Sequence, residues 1–194
     1  MKLTNEVVVP APLESTWSLL LDVPRVVRAL PGATVEPDAA EGAYRGALKV
    51  RLGPVAVAYE GVARLEDVDE DEHAATFRIE GRERGGHGGA TATIVNRLLP
   101  EENGTRLVVE TDLAVTGRAA QLGRGLMEDV AGSLLEQFAA GLERLALGRE
   151  EDAPATAAEL DLGAAAWEPL VRRYGPFVAV GVGAFLLGLV VGRR

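Results

Sequence analysis

The chain has 194 residues, of which 47% are hydrophobic, so it is long and apolar enough to form a packed core. Its 29 acidic and 20 basic side chains give a net charge of −9, which repels phosphate backbones and argues against nucleic-acid binding. With no Cys and two His, the sequence excludes disulfides, thiolate metal sites and cysteine catalysis, and no metal site is expected.

The N-terminal part predicts one short strand followed by two short helices. Glu6–Val9 is β-like, and Leu13–Leu21 carries apolar residues at helical spacing. Pro24–Leu30 gives a second short helix, which stops at Pro31-Gly32.

A run of strands with period-two alternation follows, and a long helix ends the domain. Arg118–Leu147 carries one continuous apolar stripe at helical spacing. Strands joined by tight turns form an antiparallel sheet with one dry face, which the helix must cover. We therefore predict an α+β fold over residues 1–147, a curved antiparallel sheet wrapped around a long C-terminal helix. The predicted strands are Tyr44–Leu52, Val55–Leu65, His73–Arg84, Ala90–Leu98 and Leu107–Val115.

Small residues share the strand parity that also carries the large apolar residues, as at Gly46, Gly61 and Ala92. Because interiors pack densely, such residues opposite a helix either leave a hollow or mark bends of a strongly curved sheet. A hollow here would be aliphatic with few polar groups, which is typical of a site for a lipophilic small molecule. The candidate ligand-cavity residues are Tyr44, Gly46, Leu48, Val50, Val57, Tyr59, Gly61, Phe77, Ile79, Ala92, Ile94, Val109, Thr111, Leu122, Leu126 and Val130.

A glycine-rich connection, Gly85, Gly86, His87 and Gly88, joins two predicted strands. It precedes a strand and lacks the lysine of a phosphate loop, so we expect a mobile hairpin at the cavity mouth. Glu83 has inward parity at a strand end, and we interpret it as a rim carboxylate. No second inward carboxylate pairs with it for acid–base work, so no catalytic residue is predicted.

The C-terminal part predicts a linker and a membrane anchor. Residues 148–171 are rich in Ala and acidic residues and are expected to form a flexible linker with some helical content. Gly175–Gly192 contains no charge and would span about 27 Å as a helix, close to the thickness of a bilayer. We expect residues 172–194 to form a single-pass tail anchor in the cell membrane, and the alternative is a buried C-terminal helix. Because no signal peptide precedes the domain, we expect it in the cytoplasm.

Five stretches carry a family resemblance: Leu30-Pro31-Gly32-Ala33, Tyr44-Arg45-Gly46 followed by Val50 and Gly53-Pro54-Val55, Tyr59-Glu60-Gly61, Gly86–Ala90, and the Gly-x-x-Ala-x-x-Gly-x-Gly motif within Thr116–Gly125. They resemble the G subunit of the aerobic molybdenum carbon monoxide dehydrogenases, a family of the START-like, helix-grip superfamily with a hydrophobic cavity. The resemblance implies a non-catalytic accessory protein without a covalent cofactor. Such a protein recruits a cytoplasmic molybdenum hydroxylase to the membrane and carries a lipophilic, menaquinone-like quinone to it. Related proteins serve other molybdenum hydroxylases, so the sequence does not fix the partner.

Two other functions remain open at this point. A pure membrane-docking adaptor would use the surface of the same fold without transporting a ligand. A cyclase-type enzyme, as found in the same superfamily, would need acid–base residues facing the cavity, and the sequence supplies almost none.

Overall fold

Strands form one sheet in the order β1-β7-β6-β5-β4-β3-β2, with neighbours antiparallel, and a short β8 pairs with β3. The computed structural model describes residues 1–38, 40–52, 55–149 and 160–161. The strands are β1 (Lys2–Val9), β2 (Ala33–Pro37), β3 (Ala43–Leu52), β4 (Val55–Asp69), β5 (Ala74–Glu83), β6 (Gly89–Glu101), β7 (Gly104–Val115) and β8 (Leu160–Asp161). The helices are α1 (Leu13–Leu21), α2 (Val23–Val26) and α3 (Arg124–Ala146), with 3-10 turns at Val27–Ala29 and Ala119–Leu122.

One face of the sheet packs against α3, as the alternation predicts. Val50 lies opposite Val57, and Leu98 lies opposite Leu107, and all four are buried. Side chains alternate between the two faces of a strand, so residues of the same parity share this inner face. The predicted α+β arrangement of a curved antiparallel sheet and a long helix is confirmed.

The larger apolar cluster lies where β1, α1 and the C-terminal half of α3 meet. Leu107 and Leu142 are fully buried there. Trp17 of α1 is 4% exposed, and its indole Nε1 donates a hydrogen bond to Glu70 Oε2 at 2.7 Å. Its ring also meets the His73 ring edge-on, with 5.4 Å between centroids. These contacts tie the β4–β5 hairpin to the first helix.

A second, smaller cluster packs against the N-terminal half of α3. Val50, Val57 and Met127 are its buried members. Leu134 packs against this cluster, whereas its neighbour Leu135 belongs to the larger one. The two clusters therefore divide α3 near its middle.

The helix predicted from Arg118 begins six residues later. A 3-10 turn covers Ala119–Leu122, and α3 starts at Arg124. Gly123 between them has φ +79°, a left-handed conformation that an α-helix cannot contain. The glycine therefore separates the turn from the helix.

Strand bounds also differ from the predicted ones. β1 starts at Lys2 because its whole length pairs with β7. β2 is absent from the predicted ranges, and it forms by pairing with β3. β4 runs on to Asp69, after an irregularity in register between Leu65 and Asp67. Pairing with strands that are distant in sequence thus extends some strands past the residues that show the alternation of apolar and polar side chains.

Four residues of the predicted linker are described, namely Gly148, Arg149, Leu160 and Asp161. Leu160 and Asp161 pair in parallel with Val50 and Arg51 of β3, so these two are held at the sheet and not in a free coil. The remainder of the linker beyond residue 149, and the predicted anchor at 172–194, lie outside the described residues. Among the helices that are described, none combines the length and apolar character needed to cross a bilayer.

Two glycines of α3 provide a test of helix packing. A Cβ at Gly141 would collide with the Ala29 backbone, at 2.6 Å from its Cα, whereas a Cβ at Gly132 would meet only Asn5 Nδ2 at 3.9 Å. We expect Gly141→Ala to lower the free energy of unfolding by about 1–3 kcal/mol through overpacking. Gly132→Ala, the matched control, should raise it by up to about 1 kcal/mol through helix propensity. Urea denaturation measures both, and equal effects would contradict the close approach of α3 to Ala29.

Candidate ligand-binding site

A row of apolar residues crosses the inner face between the two clusters. Ala63, Ile79, Ala92 and Leu113 are neighbours in register on β4, β5, β6 and β7. None of the four belongs to either apolar cluster or packs against one. Ile79 is 36% exposed although its parity matches that of buried Ala75. We call these four residues the central row. Because Ile79 is exposed and the other three are half-buried, the described part of the protein covers this apolar surface only in part.

The other predicted lining residues lie around the central row. The second cluster holds Leu48, Val50, Val57, Tyr59 and Val130. Phe77 and Val109 pack against the larger cluster. Five more are half-buried on the inner face or at the start of α3: Tyr44, Gly46, Ile94, Thr111 and Leu126. The side chain of Leu122 lies outside the described part of the chain.

Two inner-face glycines have a structural explanation. A Cβ at Gly46 would lie 2.8 Å from the carbonyl oxygen of Thr34 on β2, and one at Gly61 would collide with the carbonyl oxygen of Glu80 on β5. Both glycines therefore permit a close approach between neighbouring strands of the curved sheet. A Cβ at Gly81 would make only ordinary contacts, the nearest at 3.6 Å. Of the two interpretations of the small residues, bending accounts for Gly46 and Gly61.

A buried ion pair closes one end of this face. The Glu83 side chain is 1% exposed, and Arg118 donates to its Oε1 from Nε at 2.7 Å and also from Nη2. The interpretation of Glu83 as a rim carboxylate is wrong, because Arg118, which follows β7, covers it. Arg118 is absent from the predicted site residues. Its place within the Gly-x-x-Ala motif is the signal that could have indicated it.

Glycines of the β5–β6 connection pack directly on this carboxylate. A Cβ at Gly86 would lie 2.7 Å from Glu83 Cδ, and one at Gly88 would lie 2.6 Å from Oε2. Gly117, with φ +80°, approaches Gly88 from the other side. Thr116 Oγ1 accepts a hydrogen bond from the Gly89 amide at 2.8 Å. The predicted loop Gly85–Gly88 is thus fastened to the end of β7.

Tyr59 lies opposite Glu83 in the β4–β5 register. Its hydroxyl oxygen is buried and has no hydrogen-bond partner among the described residues. Burial raises the pKa of Tyr59, the charge of Glu83 raises it further, and Arg118 partly offsets this. At neutral pH the hydroxyl is therefore protonated and can donate a hydrogen bond. The same described residues contain no group of three or more His, Asp or Glu placed to hold a metal.

The curved sheet, the long helix and the largely apolar inner face define the helix-grip class of proteins. A family model places the chain within that class, because the model of the carbon monoxide dehydrogenase G subunit (CoxG) matches residues 6–146. The chain belongs to this family.

Solved structures share the fold at low sequence identity. A conserved protein from Geobacillus kaustophilus has a TM-score of 0.65 at 19% identity, covering 76% of this chain and 96% of its own. A Thermus thermophilus protein has a TM-score of 0.55 at 21% identity, covering 77% and 99%. A Rhizobium loti protein has a TM-score of 0.53 at 19% identity, covering 73% and 96%. A comparison with curated protein sequences finds no significant match.

A double-mutant cycle tests the ion pair between Glu83 and Arg118. We expect Glu83→Gln and Arg118→Gln to show a coupling energy of about 2 kcal/mol, because the carboxylate is desolvated while the guanidinium is partly exposed. The control is the exposed pair Arg124–Glu128 on α3, whose coupling should stay below about 0.5 kcal/mol. Urea denaturation of both cycles gives the energies, and similar values would contradict a buried pair.

The raised pKa of Tyr59 predicts a pH dependence of stability. Above about pH 10 the unfolded chain loses this proton while the folded chain keeps it, so the free energy of unfolding falls as the pH rises. We expect Tyr59→Phe to remove this part of the fall and Tyr44→Phe, with the same atoms deleted, to preserve it. Denaturation between about pH 8 and about pH 11 measures the slopes. If the free energy of unfolding of Tyr59→Phe falls with pH as steeply as that of the wild type, the folded chain does not hold the Tyr59 proton more tightly than the unfolded chain does.

Proposed function

We propose that this protein is a membrane-tethered, non-catalytic accessory protein that binds a lipophilic molecule, a respiratory quinone such as menaquinone, between its sheet and α3. It couples a cytoplasmic molybdenum hydroxylase, of the carbon monoxide dehydrogenase type, to the membrane electron transport chain. Membership of the CoxG family supports the partner class. The central row supports the ligand.

The central row carries the ligand proposal because its side chains face the helix without being packed by it. Ile79 is 36% exposed, whereas Ala75 on the same face of β5 belongs to the larger cluster and Phe77 packs against it. A ligand that covers about 400 Å² of apolar surface would gain at most about 10 kcal/mol before the costs of binding.

The redox chemistry of this proposal belongs to the ligand and the partner. A quinone accepts electrons and protons itself, so the protein needs to hold, orient and shield it. The buried carboxylate on the inner face, Glu83, is engaged by Arg118, which argues for a binding role and against a cyclase-type reaction.

The proposed anchor at residues 172–194 would keep the domain on the cytoplasmic side of the cell membrane. The acidic linker would hold the domain away from anionic headgroups, because like charges repel. A bound quinone could then pass between the bilayer and an oxidoreductase without leaving the membrane surface region.

The ligand itself can be identified directly. Lipids extracted from the full chain, purified from membranes, should contain a quinone detectable by mass spectrometry and by its ultraviolet absorbance. Repeated recovery of protein without any lipophilic molecule would contradict the ligand proposal. A protein that still brings its partner to membranes in that case would be a docking adaptor.

Filling the central row should block binding. We expect Ala92→Trp to weaken binding of a decyl-substituted naphthoquinone by at least about tenfold, because the indole occupies the apolar surface. Thr91→Trp places the same side chain on the opposite face of β6. This variant should therefore bind the naphthoquinone as tightly as the wild type does. Circular dichroism and urea denaturation confirm folding of both variants. Unchanged binding by a folded Ala92→Trp protein would contradict a ligand at the central row.

A further inference from the structure

We propose that Tyr59 is the polar anchor of the bound ligand, donating a hydrogen bond from its hydroxyl to a neutral acceptor oxygen, such as a carbonyl. This inference rests on the proposed function. It adds the orientation of the ligand, with the polar end beside Tyr59 and the apolar body along the central row. It also adds a chemical class, an apolar molecule with an uncharged oxygen at one end.

The first argument is the state of the hydroxyl. The Tyr59 oxygen is buried and unpartnered among the described residues, although buried polar groups nearly always have a hydrogen-bond partner. Its ring packs in the second cluster against Val50, Val57 and Met127. The ring is therefore held in place, and its hydroxyl keeps a hydrogen-bond donor that no described residue accepts.

The second argument is the path between Tyr59 and the central row. Tyr59, Gly61 and Ala63 are consecutive inner-face residues of β4, so Tyr59 and Ala63 are about 13 Å apart along the strand. Gly61 lies opposite Gly81 on β5 and Gly46 on β3. Neighbouring backbone fills the Cβ positions of Gly46 and Gly61, but a Cβ at Gly81 would make only ordinary contacts, so a flat molecule can pass over Gly81. The hydroxyl and the central row can then contact the two ends of one ligand.

The third argument concerns the charge of the ligand. The Arg118 guanidinium binds Glu83 Oε1, and the loop glycines crowd Oε2, so the Glu83 carboxylate is engaged, whereas the Tyr59 hydroxyl has no partner among the described residues. The negative charge of Glu83 close to Tyr59 disfavours a second carboxylate. A carbonyl therefore fits this position better than the headgroup of a fatty acid.

A matched pair of probes and a matched pair of variants test the anchor. The probes are a decyl-substituted naphthoquinone and the decyl-substituted naphthalene of the same shape, which lacks carbonyl oxygens. We expect Tyr59→Phe, in the full chain, to weaken binding of the naphthoquinone by about threefold to tenfold and to leave the naphthalene unchanged. Thr91→Val, which removes a hydroxyl from the opposite face of β6, should change neither. Calorimetric titration measures all of these affinities.

Each outcome separates the anchor from the binding site. Equal weakening for both probes, or no weakening for either, would overturn the anchor while the proposed ligand site stands. If the wild-type chain binds neither probe, both proposals are wrong. Tyr59→Phe removes an unpaired buried hydroxyl and keeps the ring, so the variant is expected to fold. Weaker binding would then not result from loss of the folded state. Urea denaturation of the variant checks that point.

Discussion

The long helix α3 is held against the sheet by two separate apolar clusters. Leu135 and Leu142 belong to the larger cluster, and Met127 belongs to the smaller one. Each fully buried side chain of this kind contributes about 1.5–3 kcal/mol, so the two clusters can hold the helix without help from the middle of the sheet. The stability of the fold therefore does not require dense packing at the central row. The central row can remain partly uncovered because the two clusters on either side of it stabilise the fold.

The Glu83–Arg118 pair fixes the geometry at the end of the inner face where β5 meets the segment that follows β7. A buried carboxylate is costly unless it is paired, and here it joins the end of β5 to the segment that follows β7. Gly86, Gly88 and Gly117 allow three stretches of backbone to meet around it. The same pair acts on the Tyr59 hydroxyl: burial raises the pKa of Tyr59, the charge of Glu83 raises it further, and Arg118 partly offsets this. One ion pair thus organises both the loop and the polar end of the inner face.

The sequence predicts the elements that depend on local pattern and misses those that depend on distant partners. Strands β3 to β7 and the long helix are predictable because alternation and helical spacing repeat within each segment. β2 forms by pairing with β3, and the first turn after β7 is separated from α3 by the φ of Gly123. The burial of Glu83 depends on Arg118, 35 residues away. Parity places Tyr59 on the inner face, but its unpartnered hydroxyl depends on the positions of several strands.

Strand β3 is longer than the partner that flanks it on one side. β2 pairs with Tyr44 through Leu48, and the Lys49 amide donates to the carbonyl of Gly32. Past that point the backbone of β3 would present unpaired donors and acceptors, the kind of exposed border on which other chains assemble. Leu160 and Asp161 pair with Val50 and Arg51 at that place. Leu160 and Asp161 therefore pair with part of a border that would otherwise be open to other chains.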